Sequence, residues 1–308
     1  MRLLRGFGEQ EHYTGGVLSI GNFDGVHRGH QQMLSSLVKR AQSTGVKAVV
    51  MTFEPHPIAL LAPDRVPPRL TTLEHKAELL GQCGVDVMIA YPTDRDLLNL
   101  TPDEFFSQIV QQKINATGLV EGPNFCFGKD RTGDVDQLRS LCENAEITLS
   151  IVDAVTEGSA IVSSSAIRRA IESGRLAEAV EMLGHPYQVT GVVETGARRG
   201  RSLGFATANL TGIETMLPAI GVYAGRVELD SVIHPAAVHL GPNPTFGENE
   251  QKLEVHILDF DGDLYGQSLS VGLLARVRDT MQFSDVSTLQ SQLQEDIANV
   301  RHLCNHHY

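Results

Sequence analysis

The chain contains no tryptophan, only four cysteines, and no apolar run approaching the length of a membrane span. Each shortage excludes something. Cys83, Cys126, Cys142 and Cys304 show no CxxC pairing and no regular spacing, which speaks against a zinc site or a disulfide frame and fits a reducing compartment. A spanning helix needs roughly 20 consecutive apolar residues, so no membrane association is expected. The opening "MRLLRGFGEQEH" lacks the apolar segment of a secretory signal, and the expected location is cytoplasmic. Positive charge is scarce too: 25 Lys and Arg stand against 37 Asp and Glu, for a net charge of −12. The deficit is even, with 17 basic against 23 acidic residues in 1–185 and 8 against 14 in 186–308. Nucleic acid needs a basic stripe and is not expected as a partner. Small phosphorylated ligands fit this balance, because a few local donors and a metal ion suffice to hold them.

At 308 residues the chain exceeds one ordinary core, and its texture changes at "GHP" (184–186), where a glycine stops a helix and a proline follows. Two domains are expected, 1–185 and 186–308. In the first, "VLSI" (17–20), "KAVVMTF" (47–53), "VDVMIAYP" (85–92), "ATGLVEGPNFCFG" (116–128) and "ITLSIVDAV" (147–155) supply five strands that alternate with helical patterns. One helix is announced by Thr101 as cap and Pro102 at its first position, and residues 163–183 read as two short helices joined at Gly174. Alternation of this kind implies an α/β fold with a parallel sheet, whose ligands gather at the carboxyl ends of the strands. In the second domain, "YQVTGVVE", "GVYAGRVEL", "AAVHLG", "KLEVHILDF" and "SLSVGLLARVR" are strand-like runs between turn residues, the pattern of a small antiparallel barrel or sandwich. A terminal helix capped by Ser284 follows, with "RHLCNHHY" as its fraying end.

The chemistry begins in "GNFDGVHRGHQQM" (21–33), where a buried strand hands over to a helix. A helix N-terminus offers unpaired N–H groups and partial positive charge to anions. His27 and His30 fall on one face of the first turn, so both can donate to a polyphosphate, and Gly29 lets a phosphate approach the backbone. This stretch resembles the HxGH signature of the nucleotidyltransferase superfamily, with Gly21, Asn22, Phe23 and Asp24 in its nucleotide-binding turn. The lysine-rich KMSKS loop of the tRNA-synthetase branch is missing. Instead "VSSSAIRRAI" (162–171) resembles the SSTxIR signature of small-molecule adenylyltransferases, which implies nucleotide contacts from Ser164 and Ser165 and places Arg168 on the phosphates opposite the histidines.

Further segments narrow the resemblance to the bacterial FAD synthetases, bifunctional riboflavin kinase/FMN adenylyltransferases. "FEPHP" (53–57) and "GPNFCFGKDRTGD" (122–134) resemble their flavin-side loops, which implies flavin contacts from Phe53, His56, Asn124, Phe125 and Phe127. "GRSLGFATANL" (200–210) resembles the GxxxGFPTANL signature of riboflavin kinases, with Gly200 and Gly204 at the nucleotide and Thr207 and Asn209 as Mg²⁺ ligands. "GPNPTFG" (241–247) and "LEVHILDFDGDLYG" (253–266) resemble its later segments, and Glu254 takes the position of the family's catalytic glutamate. The resemblance implies a Rossmann-like nucleotidyltransferase domain followed by a riboflavin kinase-like β-barrel. Its substrates would be ATP, riboflavin and FMN, with Mg²⁺ as cofactor. The sequence leaves assembly into a homo-oligomer open.

Two departures stand out. Ala206 replaces the proline of PTAN, removing a fixed φ ahead of Thr207, and Thr280 sits where the family often has glutamate. They open an alternative, an adenylyltransferase whose kinase half is weakened or lost. Transfer of AMP to a different phosphate, or a flavin sensor without turnover, fits less well. The first would not need residues 186–308, and the second would be expected to lose His30, Arg168 or Glu254.

Overall fold

The computed structural model describes residues 1–157, 160–195, 205–243 and 248–306. It falls into two units, Met1–Pro67 with Thr72–Val162, and Pro68–Thr71 with Ser163–Tyr308. In the first unit β1 (Arg2–Arg5), β2 (Val17–Ile20), β3 (Ala48–Glu54), β4 (Val87–Pro92), β5 (Gly118–Glu121) and β6 (Thr148–Ile151) form a parallel sheet in the order β1-β4-β3-β2-β5-β6. Helices cover both faces, which is why β2 is apolar or buried at every position. Leu18, Ile20, Met51, Ile89 and Leu119 face one core, and Val17, Val50, Met88 and Val120 face the other. The strand order runs outward in opposite directions from β2 and β5, so the topological switch point lies between them.

The sequence leads to an expectation of five strands here, and the sheet has a sixth. Arg2–Arg5 adds to its edge beside β4, a four-residue strand ending in arginines that offers no alternation to read. A two-residue hairpin, β7 (Thr156–Glu157) with β8 (Ala160–Ile161), is also unannounced. The helix at Pro102–Phe105 has its expected cap: Thr101 Oγ1 accepts from the Glu104 N–H at 3.3 Å, and Glu104 Oε2 accepts from the Thr101 N–H at 2.9 Å. After one turn it widens into a π-helix over Phe106–Lys113.

In the second unit β9 (Tyr187–Glu194), β10 (Ala208–Thr211), β11 (Gly221–Leu229), β12 (Val232–Asn243), β13 (Glu248–Ile257) and β14 (Ser268–Arg278) close into an antiparallel barrel, ordered β10-β13-β12-β11-β14-β9. Alternate residues, among them Val189, Val193, Leu210, Tyr223, Val238 and Val255, fill its interior. The helices Ser164–Glu172 and Leu176–Leu183 join at Gly174 with φ +72° and add Ile167, Ala170, Leu176 and Leu183 to the same core. The break between units therefore falls between Val162 and Ser163, ahead of this helical pair.

On the barrel's outside, Ala224, Leu258 and Leu274 lie under Val300 and Cys304 of the terminal helix Val286–His306. Its cap is Asp285 rather than Ser284. Asp285 Oδ1 accepts from the Thr288 N–H at 2.8 Å, while the Ser284 hydroxyl donates to Asp285 Oδ2. A carboxylate has the advantage at that position because its charge also meets the helix dipole.

Candidate active sites

The first site is built where β2 ends. Gly21 donates its N–H to Met51 at 3.0 Å, and the chain then turns sharply to enter the helix Arg28–Thr44. Phe23 and Val26 adopt φ of +46° and +37° in that turn, conformations that cost non-glycine residues about 1–3 kcal/mol each and persist only when the surroundings hold them. Phe23 is held by burial, 1% exposed, with its ring 5.2 Å from that of His30.

His27 caps the helix. Its Nδ1 accepts from the His30 N–H at 3.4 Å, so the neutral ring carries its proton on Nε2. The two imidazoles stack with centroids 3.6 Å apart. A Cβ on Gly29 would come within 3.2 Å of the His27 ring, so this glycine makes room for the imidazole itself. Burial, and then the neighbouring His27 and Lys76, push the His30 pKa well below its usual value, so His30 is neutral at pH 7. Its Nδ1 is buried and has no hydrogen-bond partner. An orphaned polar atom costs about 1–3 kcal/mol, and a ligand arriving at this turn would satisfy it.

Asn22 meets the loop that follows β3, its side-chain amide 2.9 Å from His56 Nε2. His56 Nδ1 accepts from the Ile58 N–H at 3.1 Å, so Nε2 carries the proton and donates, and the amide oxygen of Asn22 belongs toward it. That orientation leaves the Asn22 NH₂ at the buried position otherwise without a partner, a donor in a turn already rich in donors. Phe53 and Phe125 are half-buried on the sheet face that carries Ile20, and Asn124 is exposed. Phe127 is only 6% exposed, stacked 5.6 Å from Phe125, 6.0 Å from Phe105, and paired with Gly133 through two 3.0 Å backbone bonds. Its surroundings are those of a core residue.

Two buried ionisable groups nearby are not among the residues the sequence singles out. Lys76 is 6% exposed and lies on the apolar stripe formed by Leu73, Ala77 and Leu80, a charged residue at a core-facing helical position that was legible in principle. Glu121, at the carboxyl end of β5, is 1% exposed and accepts from the Ile20 N–H at 2.7 Å. Burial raises its pKa well above the usual carboxylate range.

In the second unit, Ser163 caps the helix Ser164–Glu172, accepting from the Ala166 N–H at 3.3 Å. Ser164 and Ser165 thus form its first turn, with N–H groups directed out of the end. Arg168 donates from Nε to the Pro68 carbonyl at 2.7 Å, which fixes the plane of its guanidinium.

The barrel supplies the other chemistry. Asn209 on β10 pairs directly with Glu254 on β13, and Glu254 pairs with His239 on β12. Asn209 also pairs with Glu194 on β9. Directly opposed residues in antiparallel strands share a face. Since Leu210, Leu253 and Val255 point into the core, these four polar side chains form a row on the outer face. Thr207 lies just before β10 and lines a cavity of about 480 Å³ with Val193, Val255, Phe260, Leu264 and Tyr265. His256 Nδ1 donates to the Ala206 carbonyl at 2.8 Å, and its ring meets Phe205 edge-on at 5.7 Å. Thr280 places its methyl near Gly241. Gly200 and Gly204 lie outside the described residues.

Comparison with known proteins agrees with this division. The FAD synthetase family model matches residues 9–166, and the riboflavin kinase model matches residues 183–304. The bifunctional riboflavin kinase/FMN adenylyltransferase of Escherichia coli K12 is 36% identical over 98% of this chain and 97% of its own. The protein of the same name from Pseudomonas fluorescens is 35% identical over 98% of both chains, and that of Bacillus subtilis is 31% identical over 93% and 92%. A solved structure described as a macrolide-efflux protein from Streptococcus pneumoniae superimposes with a TM-score of 0.85 at 31% identity, covering 97% of this chain and 98% of that one. Among the described residues, no helix is long and apolar enough to cross a membrane.

Proposed function

The chain belongs to the bifunctional riboflavin kinase/FMN adenylyltransferase family, phosphorylating riboflavin to FMN and adenylylating FMN to FAD, and from that premise we propose which residues carry each step. Adenylyl transfer is assigned to residues 1–185. Its nucleophile, the FMN phosphate, is already ionised, so the step requires positioning and charge relief rather than a base. His27, His30, the Asn22 amide and the N–H groups of the turn are the donors to ATP. The SSTxIR-like signature supports Ser164, Ser165 and Arg168 as donors in the same reaction. Phe53, His56, Asn124 and Phe125 are the flavin contacts, with Phe127 supporting Phe125 from beneath.

Phosphorylation of riboflavin is assigned to residues 186–308. Here the nucleophile is a hydroxyl that must lose its proton, and Glu254 is the base. Thr207 and Asn209 are the ligands for Mg²⁺, and the amide and carboxylate oxygens that Glu194, Asn209 and Glu254 contribute to the row suit a hard cation that keeps its waters and nucleotide oxygens. Bound Mg²⁺ would shield the phosphate charge. The cavity beside Thr207, walled by Phe260, Leu264 and Tyr265, suits the nucleotide.

The observation that carries this reading is the direct pairing of Asn209 with Glu254, which brings a candidate metal ligand and a candidate base together from positions 45 residues apart. Protein incubated with riboflavin, ATP and Mg²⁺, with products separated by chromatography, provides the test. Glu254→Gln is expected to abolish FMN formation but not FAD formation from supplied FMN. His30→Ala is expected to do the reverse. A variant that loses both activities, or neither, would refute the division.

A further inference from the structure

The ladder between β2 and β5 registers only at Val17 with Gly118 and Leu18 with Leu119. Yet β5 stays paired with β6 as far as Glu121 and Ile151, and β2 stays paired with β3 as far as Ile20 and Met51. The two central strands therefore part at the topological switch point, before either has ended. Along a strand successive N–H groups point to opposite sides. Gly21 donates to Met51 on β3, so the Ile20 N–H faces the opening toward β5. Ile20 is 4% exposed, and an unpaired N–H there would be costly. The Glu121 side chain reaches across and accepts that hydrogen at 2.7 Å.

We propose that Glu121 is a positioning residue for adenylyl transfer, its carboxyl group bridging the open switch point and setting the exit of β2 into the turn that presents Asn22, His27 and His30. The next residue after Ile20 is Gly21, and the strained φ values at Phe23 and Val26 follow within six positions. Only Gly21 separates Ile20 from Asn22, and its own N–H is tied to the Met51 carbonyl of β3 at 3.0 Å, so a shift of Ile20 passes into that turn. What the task requires of residue 121 is an acceptor that stays uncharged when buried. The carboxyl's raised pKa is consistent with this.

The inference rests on residues 21–30 serving adenylyl transfer, and the experiment separates the two ideas. Full-length Glu121→Leu, Glu121→Gln and His30→Ala would be compared for kcat and KM in FAD formation from FMN and ATP. Riboflavin phosphorylation in the same preparations reports on the other half. Glu121→Leu is expected to lower kcat for FAD formation by about tenfold to a hundredfold, the scale of an ångström-level misplacement, with riboflavin phosphorylation unchanged. Glu121→Gln, whose amide oxygen can accept the same N–H, is expected to recover most of the loss. Unchanged kcat in Glu121→Leu, or equal loss in Leu and Gln, overturns the proposal. Parallel loss of both activities also overturns it, because Glu121 would then be holding the fold and not the turn. Full FAD formation by His30→Ala would remove the underlying site assignment, and the proposal with it.

Discussion

His256 Nδ1 and the carbonyl of Ala206 are joined by a 2.8 Å hydrogen bond, and Ala206 is the residue that stands in place of the usual proline. A proline would hold Thr207 and Asn209 through a fixed φ. In this chain a side chain from the neighbouring strand takes up that restraint, which weighs against the kinase half being lost. His256→Ala is expected to lower kcat/KM for riboflavin phosphorylation about fivefold, the value of one neutral hydrogen bond of about 1 kcal/mol. Adding Ala206→Pro should restore it. A single variant with wild-type kinase kinetics would show the bond to be incidental.

His30 and Glu121 give the first unit opposite pH dependences. The folded pKa of His30 is lowered, so its contribution is full above the unfolded value of 6.5 and is lost as pH falls through the folded value. The folded pKa of Glu121 is raised. Its contribution is full below the unfolded value of 4.5 and is lost as pH rises through the folded value. His30→Gln should therefore flatten the acid limb of a plot of Tm against pH, and Glu121→Gln the limb above 4.5. Curves that shift in height without changing slope would show that neither group titrates as described.

Much of this was legible in the chain. A strand buried on both faces reads as a plain apolar run, and "VLSI" does so without ambiguity. A glycine that ends a helix and a threonine followed by proline mark boundaries through local sterics alone. Register is different. Nothing in "FATANL" or "KLEVHIL" announces that Asn209 faces Glu254, because the pairing depends on barrel closure. Ala208–Thr211 itself shows no alternation, and Glu121 looks like the start of a loop until the gap it fills is known. In sequence Phe127 is as suited to a flavin as Phe125, and only packing tells them apart.

That contrast is measurable. Phe127→Ala removes a core ring and is expected to cost about 3–5 kcal/mol of stability. Phe125→Ala should leave Tm nearly unchanged and raise KM for FMN, since its half-buried ring is free to offer a stacking surface. Denaturation curves and FMN titrations on both variants would decide. Equal destabilisation would mean that Phe125 is simply more core.

The barrel and its terminal helix meet through Arg278 and Asp296, whose side chains are 17% and 3% exposed. Three hydrogen bonds of 2.7–3.1 Å join them in fork geometry. Truncating one partner leaves the other charge nearly buried and uncompensated, so Asp296→Ala is expected to destabilise the barrel by about 3 kcal/mol. The ion pair of Arg5 and Glu74, each 68% exposed, is the control: Glu74→Ala should change stability by less than about 1 kcal/mol. Circular dichroism during urea denaturation suits both, as the chain has no tryptophan to report by fluorescence. The Asp296 effect should persist at 1 M salt, because ions screen a buried pair poorly. Its disappearance there would show that water already reaches the contact and that apolar packing of Val300 and Cys304 alone holds the helix down.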